Sequence, residues 1–406
     1  MQRSVSGTWA TILAAAVLAL ASDATAAPRF KILHAFGKGN DGAGLWGSLA
    51  LDAKGNLYGA AAGGGGTGCN GGGCGILFEL APRPDGRWKE IVLHRFDGRD
   101  GAGPSDGLAL DATGDLYGMT TAYTTSVFEL SPGPRGWTLT PLHAASGYAT
   151  LALDKEGNLY APFGGGQYSA GVISELVKAD GWAENWIYSF CPNGGKCVDG
   201  AIPYAGVAWG PDGSLYGTTT SGGNGGYGVV FRLTPQPDGT WEETVLHSFP
   251  GFPTDGWEPY DGVVLDGAGN VYGATSQGGG GGHDCGVIFK LAPQADGKWK
   301  ETILYDFPNT SQGCAANTPA FDANGNLWGT TVTGGTGQCS GGCGVVFELT
   351  PQPSGKWRYS VAHRFNGTDG ALPYSAVIFD KQGNLYGTTI LGGPGNSVGV
   401  AFEIAP

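Results

Sequence analysis

Two aspartates, Asp106 and Asp261, have the placement in this chain that best suits catalysis. Each stands eleven residues before the aromatic residue of a repeated motif, so the two occupy equivalent positions in different copies of the repeat. Two carboxyl groups that face one bound sugar at about 5 to 9.5 Å can hydrolyse a glycosidic bond. Aspartate also caps turns that have no catalytic role. The pair therefore predicts either acid–base chemistry on a glycan or ordinary turns.

Glu258 and His283 extend this candidate catalytic group. Glu258 lies shortly before Asp261, and His283 lies in a loop, outside the position that the other five histidines share. A loop histidine can act as a general base or a metal ligand, and plain solvation is the alternative. No loop shows the ordered oxygen spacing of a calcium site. We therefore expect no metal and no cofactor, with a structural calcium ion as the open alternative.

The other histidines and the aspartates between the repeats are predicted to be structural. The histidine slot, usually written L-H-x-F, holds tyrosine in two copies, which indicates packing on an outer strand; its members are His34, His94, His143, Tyr188, His247, Tyr305 and His363. Aspartates that precede glycine between copies are predicted to form Asx turns rather than metal sites; they are Asp41, Asp100, Asp199, Asp255 and Asp369.

A third group of candidates is aromatic. The residue immediately before the Asp106 and Asp261 position is aromatic in five of the seven copies, and Ser105 and Ala316 take its place in the other two. Aromatic faces with a polar edge stack on sugar rings and cations, whereas packing between repeats is the alternative. The predicted ligand-binding residues, including one neighbour on the same rim, are Trp46, Tyr148, Tyr204, Tyr260, Tyr374 and Trp257.

A repeated unit must position these residues. The motif G-N-L-Y-G-x-T recurs seven times with small variations, at intervals of 43 to 59 residues; its aromatic residues are Tyr58, Tyr117, Tyr160, Tyr216, Tyr272, Trp328 and Tyr386. Such a period is typical of repeat architectures. Each unit contains four short β-branched or aromatic segments separated by turn residues, the pattern of a propeller blade. The prediction is an all-β, seven-bladed β-propeller with four-stranded blades.

The two ends of the chain predict how this ring closes. Residues 30–36 match the fourth strand of other copies, and the last copy stops after its third strand. We expect the N-terminal strand to pair with the C-terminal blade and leave no free sheet edge. The predicted single domain covers 28–406, with blades at about 45–96, 105–145, 148–190, 204–249, 260–307, 316–365 and 374–405 plus 30–36.

The N-terminus and the cysteines predict export to a secreted or periplasmic location. Residues 1–26 have the charged start, apolar run and A-x-A end of a signal peptide. No later stretch provides the roughly 20 apolar residues of a membrane-spanning helix. Eight loop cysteines indicate an oxidising compartment, and the predicted disulfides are Cys69 with Cys74, Cys191 with Cys197, Cys285 with Cys314, and Cys339 with Cys343.

Composition restricts the partners. The formal charge of −13 disfavours nucleic acid, whose phosphates need a basic surface. A hydrophobic fraction of 41% argues against disorder, although the chain is glycine-rich, with 77 glycines. The expected partner is a polysaccharide, a cell-surface glycan or a protein, and the expected state is a monomer with no membrane span.

The repeat resembles the GloVer-type tandem repeats of the "choice-of-anchor" secreted bacterial proteins. The resemblance rests on G-N-L-Y-G-T-T at 383–389, G-V-V-F-E-L at 344–349 and their counterparts, and it covers nearly the whole mature chain. It implies export, often with a C-terminal anchor, and implies no established activity. Because the chain ends at Pro406 directly after its last strand, we expect a freely soluble form.

Three functions remain open at this point. The predicted one is a secreted binding module that recognises a polysaccharide or surface glycan through its loop face and channel mouth. A polysaccharide lyase or glycoside hydrolase, and a structural or adhesive surface protein, are the alternatives. An enzyme is expected to gather at least two of the four candidate catalytic residues in one pocket. A binder is expected to expose the aromatic rings, and a structural protein to bury them.

Overall fold

The computed structural model describes residues 28–37, 40–66, 68–122, 127–144, 147, 149–251, 253, 255–280, 284–335, 337–395 and 397–406. Within these ranges the chain forms seven antiparallel sheets that follow one another as the blades of a ring. Six sheets have four strands, and one has five because its first strand is broken in two. The same ranges contain no α-helix, only four 3₁₀ turns, at Cys69–Gly71, Gln167–Ser169, Lys178–Asp180 and Thr310–Gln312. The predicted all-β, seven-bladed propeller is confirmed.

Blades are numbered in chain order. Blade 1 contains Ala50–Leu51, Leu57–Ala61, Ile76–Pro82 and Trp88–Arg95; blade 2, Ala102–Leu110, Leu116–Ala122, Val127–Gly133 and Gly136–His143; blade 3, Ala152–Leu153, Leu159–Phe163, Val172–Val177 and Ala183–Ser189. Blade 4 contains Ala208–Trp209, Leu215–Thr219, Val229–Pro235 and Trp241–Ser248; blade 5, Val263–Leu265, Val271–Ala274, Val287–Pro293 and Trp299–Asp306. Blade 6 contains Cys314–Ala316, Ala320–Phe321, Leu327–Thr333, Val345–Pro351 and Trp357–Arg364; blade 7, Ile378–Phe379, Leu385–Thr389, Val400–Ala405 and Arg29–Ala35. Two short ribbons pair Gly42–Ala43 with Gly63–Gly64 and Gly256–Trp257 with Gln277–Gly278.

The motif aromatic recurs because it closes the turn between the first two strands. In blade 5, Asp266 Oδ1 accepts from the backbone N–H groups of Ala268 and Asn270 at 3.0 and 2.9 Å. Its Oδ2 accepts from Asn270 Nδ2 at 2.7 Å and from the Tyr272 hydroxyl at 3.0 Å. In blade 6 the indole N–H of Trp328 donates to Asp322 in the same way, at 3.1 Å. The slot therefore requires an aromatic residue that carries a donor.

The glycine after the motif aromatic is required by close packing. A Cβ atom on Gly217 would lie 2.6 Å from the ring of Phe231, which is its partner on the third strand of blade 4. Blade 3 departs from the motif at both positions, since Ala161 replaces the glycine and faces Ser174 instead of phenylalanine. A larger residue on the second strand is thus accompanied by a smaller one on the third. The glycine of the G-N-L-Y-G motif and the phenylalanine of the third strand therefore form one packing unit.

The N-terminal strand closes the ring as predicted. Arg29–Ala35 pairs antiparallel with Val400–Ala405 as the outermost strand of blade 7. The pairing continues into Phe36, whose N–H donates to Gly399 O at 3.0 Å and whose C=O accepts from Val398 N at 3.1 Å. The Phe36 side chain is fully buried, with its ring centroid 4.8 Å from that of Phe78 in blade 1. This strand thus completes one blade and packs against the next.

Four disulfides link the cysteines in the predicted pairs. Three close short loops, Cys69–Cys74, Cys191–Cys197 and Cys339–Cys343, and Cys285–Cys314 joins blade 5 to the first strand of blade 6. This framework fits an oxidising compartment, as outside the cell or in a periplasm. No helix in the described part of the chain is long and apolar enough to cross a membrane. The predicted signal peptide, residues 1–26, lies outside the described residues.

Candidate functional site

The carboxyl groups of Asp106 and Asp261 each connect one blade to the next. Asp106 Oδ1 accepts from Gly107 N at 2.8 Å and from the Thr150 hydroxyl, at the start of blade 3, at 3.1 Å. Asp261 Oδ1 accepts from Gly262 N at 2.9 Å, and its Oδ2 accepts from Thr318 N of blade 6 at 2.7 Å. Two equivalent positions thus make equivalent contacts between neighbouring blades.

The charge of Asp261 also affects the titration of Asp106. Burial raises the pKa of Asp106 to about 6, and the negative charge of Asp261 adds to the increase, against the hydrogen bonds from Gly107 and Thr150. Asp106 also has a left-handed backbone, with φ of 62°, a conformation that aspartate tolerates better than most residues. The Asp106 carboxyl group is therefore about half protonated near pH 6.

This pKa has a measurable effect on stability. The folded state binds the Asp106 proton more tightly than an unfolded chain whose aspartate titrates near 3.8, so stability is lost as pH rises from about 4 through about 6. Two pKa units correspond to about 3 kcal/mol at most. We expect Asp106→Asn, which keeps an oxygen acceptor for Thr150 and Gly107, to reduce the loss of unfolding free energy between pH 4 and 7 by about 1–3 kcal/mol.

Urea unfolding followed by tryptophan fluorescence at several pH values measures this difference. Asp296→Asn is the control, because that aspartate lies in an exposed turn with a side chain 60% accessible. The same pH dependence in wild type and Asp106→Asn would contradict the assignment.

Glu258 and Trp257 lie on the link between blades 4 and 5. Glu258 Oε2 accepts from Gln277 Nε2 at 2.8 Å, and the indole N–H of Trp257 donates to Asp284 Oδ1 at 3.1 Å. The left-handed φ of Glu258, 52°, recurs at the equivalent Ile202 and Leu372. The backbone conformation of Glu258 therefore belongs to the repeat and does not single out a catalytic residue. His283 lies outside the described residues.

The predicted aromatic residues form two pairs across blade junctions. Trp46 of blade 1 contacts Tyr374 of blade 7, with ring centroids 5.2 Å apart, and Tyr204 contacts Tyr260 at the junction of blades 4 and 5, at 4.7 Å. Trp46, Tyr260 and Tyr374 are 47%, 50% and 42% exposed, and Tyr204 is half-buried. Tyr148, the fifth predicted member, lies outside the described residues. The arrangement is two paired platforms on roughly opposite sides of the ring.

A further aromatic contact adjoins the second platform. The ring of Tyr227, which is 41% exposed, meets that of Trp257 edge to face at 5.3 Å. Because Trp257 precedes Tyr260 by three residues on the same link, this face carries the larger group of aromatic rings. Tyr227 was not among the sequence candidates, since it lies in a glycine-rich loop outside the aligned positions.

The structure also gathers two groups of titratable residues, in each of which the histidine and the aspartate were predicted to be structural and the glutamate was not a candidate. His34, Asp41 and Glu90 meet at the junction of blades 7 and 1, and His247, Asp255 and Glu301 meet at the junction of blades 4 and 5. The sequence signal was a glutamate two residues after the tryptophan that begins the outer strand, as in W-K-E at 88–90 and 299–301. Only the ring geometry places that glutamate beside the histidine and aspartate of the preceding repeat.

Comparisons with known proteins agree with the fold. A family model described as "Gloeobacter/Verrucomicrobia repeat" matches residues 202–406. No curated protein matches the chain significantly. The fold is similar to that of the extracellular domain of a hybrid two-component system from B. thetaiotaomicron, with 15% identity, TM-score 0.55, and coverage of 94% of this chain and 41% of that one.

Two solved enzymes are also similar in fold. One is a fungal alcohol oxidase of the AA5 family in complex with copper, with 15% identity, TM-score 0.58, and coverage of 94% of this chain and 77% of that chain. The other is an ancestral GH74 enzyme, with 14% identity, TM-score 0.58, and coverage of 91% and 48%. This chain thus spans less than half of the two-component and GH74 proteins, and at these identities the similarity shows the fold alone.

Proposed function

This chain belongs to the Gloeobacter/Verrucomicrobia repeat family, as its repeat motifs predicted, and we propose that it is a secreted propeller that binds a polysaccharide or surface glycan. The family match names no activity, so the proposal rests on the site itself. The exposed aromatic pairs Trp46–Tyr374 and Tyr204–Tyr260 are the observation that carries the proposal. They lie on the links that lead into the innermost strands of adjacent blades.

The exposure of these rings favours binding over packing. A ring that only wedges two blades apart is expected to be buried, as the motif tyrosines are, whereas Trp46, Tyr260 and Tyr374 each leave 42–50% of their surface accessible. Tryptophan and tyrosine combine a flat apolar face with a polar edge, which suits a sugar ring that has one apolar face and a hydroxyl perimeter. The acidic formal charge of −13 favours a neutral glycan over an anionic one.

A glycan array, read with the wild type and three variants, tests this proposal. Removal of a ring that stacks on a sugar is expected to cost at least about 1–2 kcal/mol, or about tenfold in affinity or more. We expect this loss for Trp46→Ala and for Tyr260→Ala. Trp186→Ala is the matched control, since Trp186 is 58% exposed on the outer strand of blade 3 and has no place in either pair.

The outcomes separate the three function classes. Equal binding by all variants would place the glycan site elsewhere, and a wild type that binds no glycan would favour a protein partner or a structural role. Release of reducing ends or unsaturated products from a bound polysaccharide would show that the protein is an enzyme rather than a binding module.

A glycoside hydrolase or lyase is the second candidate, because Asp106 and Asp261 interact and the Asp106 pKa is raised to about 6. A carboxyl group that keeps its proton near pH 6 suits a general acid. If the protein has this activity, Asp106→Asn and Asp261→Asn are expected to abolish product release and to leave glycan binding unchanged. Loss of binding and of product together would point to the structural contacts with Thr150 and Thr318 instead.

A further inference from the structure

Two clusters of metal-ligating side chains lie on the outer strands of the ring, separate from the aromatic platforms. Each combines a histidine from the outer strand of one blade, an aspartate from the following link and a glutamate from the outer strand of the next blade. The first cluster contains His34, Asp41 and Glu90, and the second contains His247, Asp255 and Glu301. In each, one ligand atom per residue lies within 4.8 Å of the other two.

The interatomic distances match those of ligands around one ion. In the second cluster His247 Nε2 lies 2.9 Å from Asp255 Oδ2 and 3.6 Å from Glu301 Oε2. In the first, His34 Nε2 lies 3.0 Å from Asp41 Oδ2. Ligands held at about 2.1 Å from Zn²⁺ are separated from one another by about 3 to 3.5 Å, depending on the coordination angle. Small side-chain adjustments would therefore let all three groups bind one cation.

The burial of these carboxyl groups also favours a bound cation. Each cluster places two carboxyl groups beside one imidazole, and the Asp255 side chain is almost fully buried, at 7% exposure. Glu90 Oε1 and Glu301 Oε1 are buried without a hydrogen-bond partner among the described residues, and so is Glu243 Oε1 at the junction of blades 3 and 4, which has no histidine. A buried carboxyl oxygen without a partner is costly, and a divalent cation would coordinate it where a histidine and an aspartate complete the ligand set, as beside Glu90 and Glu301.

The other blade junctions provide internal comparisons, because they have the same backbone arrangement without all three ligands. Where blades 6 and 7 meet, His363 still contacts Asp369 at 3.1 Å, but Phe30 stacks on the imidazole at 3.8 Å in place of a glutamate. Where blades 3 and 4 meet, Tyr188 replaces the histidine and its hydroxyl donates to Asp199 at 2.9 Å. Packing alone therefore does not require a His–Asp–Glu set.

We propose that both clusters are sites for a divalent transition metal of the Zn²⁺ class, which would cross-link blades 7 and 1 and blades 4 and 5. One imidazole nitrogen with two carboxylates suits Zn²⁺, whereas Ca²⁺ prefers an all-oxygen shell with six to eight ligands. Solvent can reach the first site, because His34, Asp41 and Glu90 line an open cavity of about 370 Å³.

The two sites are expected to differ in affinity. Arg95 also lines the cavity of the first cluster, and its guanidinium would repel a cation. The equivalent position of blade 5, at the end of the outer strand, holds Asp306. We therefore expect the Glu301 site to bind more tightly than the Glu90 site.

Calorimetric titration of the untagged, chelator-treated full chain with ZnCl₂ tests the proposal. The wild type is expected to bind two ions, Glu301→Gln and Glu90→Gln one each, and the double variant none. Glu243→Gln is the matched control: it changes the equivalent glutamate position of blade 4, whose junction has Tyr188 instead of histidine, and it is expected to keep both ions. Far-ultraviolet circular dichroism and melting temperature verify that each variant is folded.

A crystal soaked in ZnCl₂ gives a second readout that needs no variant. Anomalous peaks between His247, Asp255 and Glu301, and between His34, Asp41 and Glu90, would support the proposal. Absence of both peaks, no calorimetric binding by the wild type, or unchanged stoichiometry in the double variant would overturn it. Equal affinity for CaCl₂ and ZnCl₂ would overturn the assigned metal class.

Discussion

Phe36→Ala is expected to destabilise the propeller by about 3–5 kcal/mol, the usual cost of removing a buried phenylalanine ring. Phe36 lies at the end of the closing strand, is fully buried and packs on Phe78 of blade 1. The loss would take a large share of a total stability of about 5–15 kcal/mol. Because the weakened strand covers the edge of Val400–Ala405, the variant is also expected to aggregate more readily.

Phe249→Ala is the matched variant for this experiment. Phe249 occupies the same position in blade 4, is also fully buried, and has its ring centroid 5.5 Å from that of Phe289 in the next blade. Urea unfolding should give similar costs for the two substitutions, since closure makes blade 7 equivalent to a blade formed from one continuous segment. A near-zero cost for Phe36→Ala beside a full cost for Phe249→Ala would mean that the N-terminal strand does not close the ring in solution.

Removal of the Cys285–Cys314 disulfide is expected to have the second largest effect. The loop-entropy relation predicts about 3.5 kcal/mol for its sequence separation of 29, against about 2 kcal/mol for the separation of 4 between Cys339 and Cys343. The long bridge also connects consecutive blades, whereas the short one stays within a single loop. The double variant Cys285→Ala with Cys314→Ala is therefore expected to lose more stability than Cys339→Ala with Cys343→Ala.

Urea unfolding under non-reducing conditions compares the two double variants, with peptide mapping to verify the remaining disulfides. Alanine is the suitable replacement, because Cys285 and Cys343 are both fully buried and serine would add an unpaired hydroxyl. Equal costs for the two double variants, or a larger cost for the short loop, would show that chain entropy does not govern the stability of this framework.

The fold was predictable because the motif residues of each repeat contact one another within the same blade. The motif aspartate, asparagine and aromatic residue close one turn within six residues, as Asp266, Asn270 and Tyr272 do. The glycine and the phenylalanine pack between adjacent strands of the same blade, and the exchange to Ala161 and Ser174 preserves that packing. A pattern that depends on neighbours in sequence can be aligned by counting, and the count also identified the closing strand.

The candidate site was predictable only in part, since its contacts cross from blade to blade. Alignment identified Asp106, Asp261 and the aromatic positions, but it could not tell that Trp46 meets Tyr374 at the opposite end of the chain. It also assigned Asp255 to an Asx turn. In the structure Asp255 Oδ1 instead accepts from the adjacent Gly256 N at 2.6 Å, which is not the bond of an Asx turn, and the other carboxylate oxygen lies against His247.

The amino-acid sequence by itself thus determines the blade number, the turn chemistry, the closing strand and the disulfide pairs, because these follow from local spacing and from a repeated pattern. Closure of the ring adds what spacing does not contain, namely which side chains of one blade face those of the next. It sets the charge of Asp261 against Asp106 and brings Glu301 to His247 across a junction. Burial between blades then removes the water that would otherwise solvate these groups. This desolvation shifts their pKa values and strengthens the interactions between side chains of different repeats.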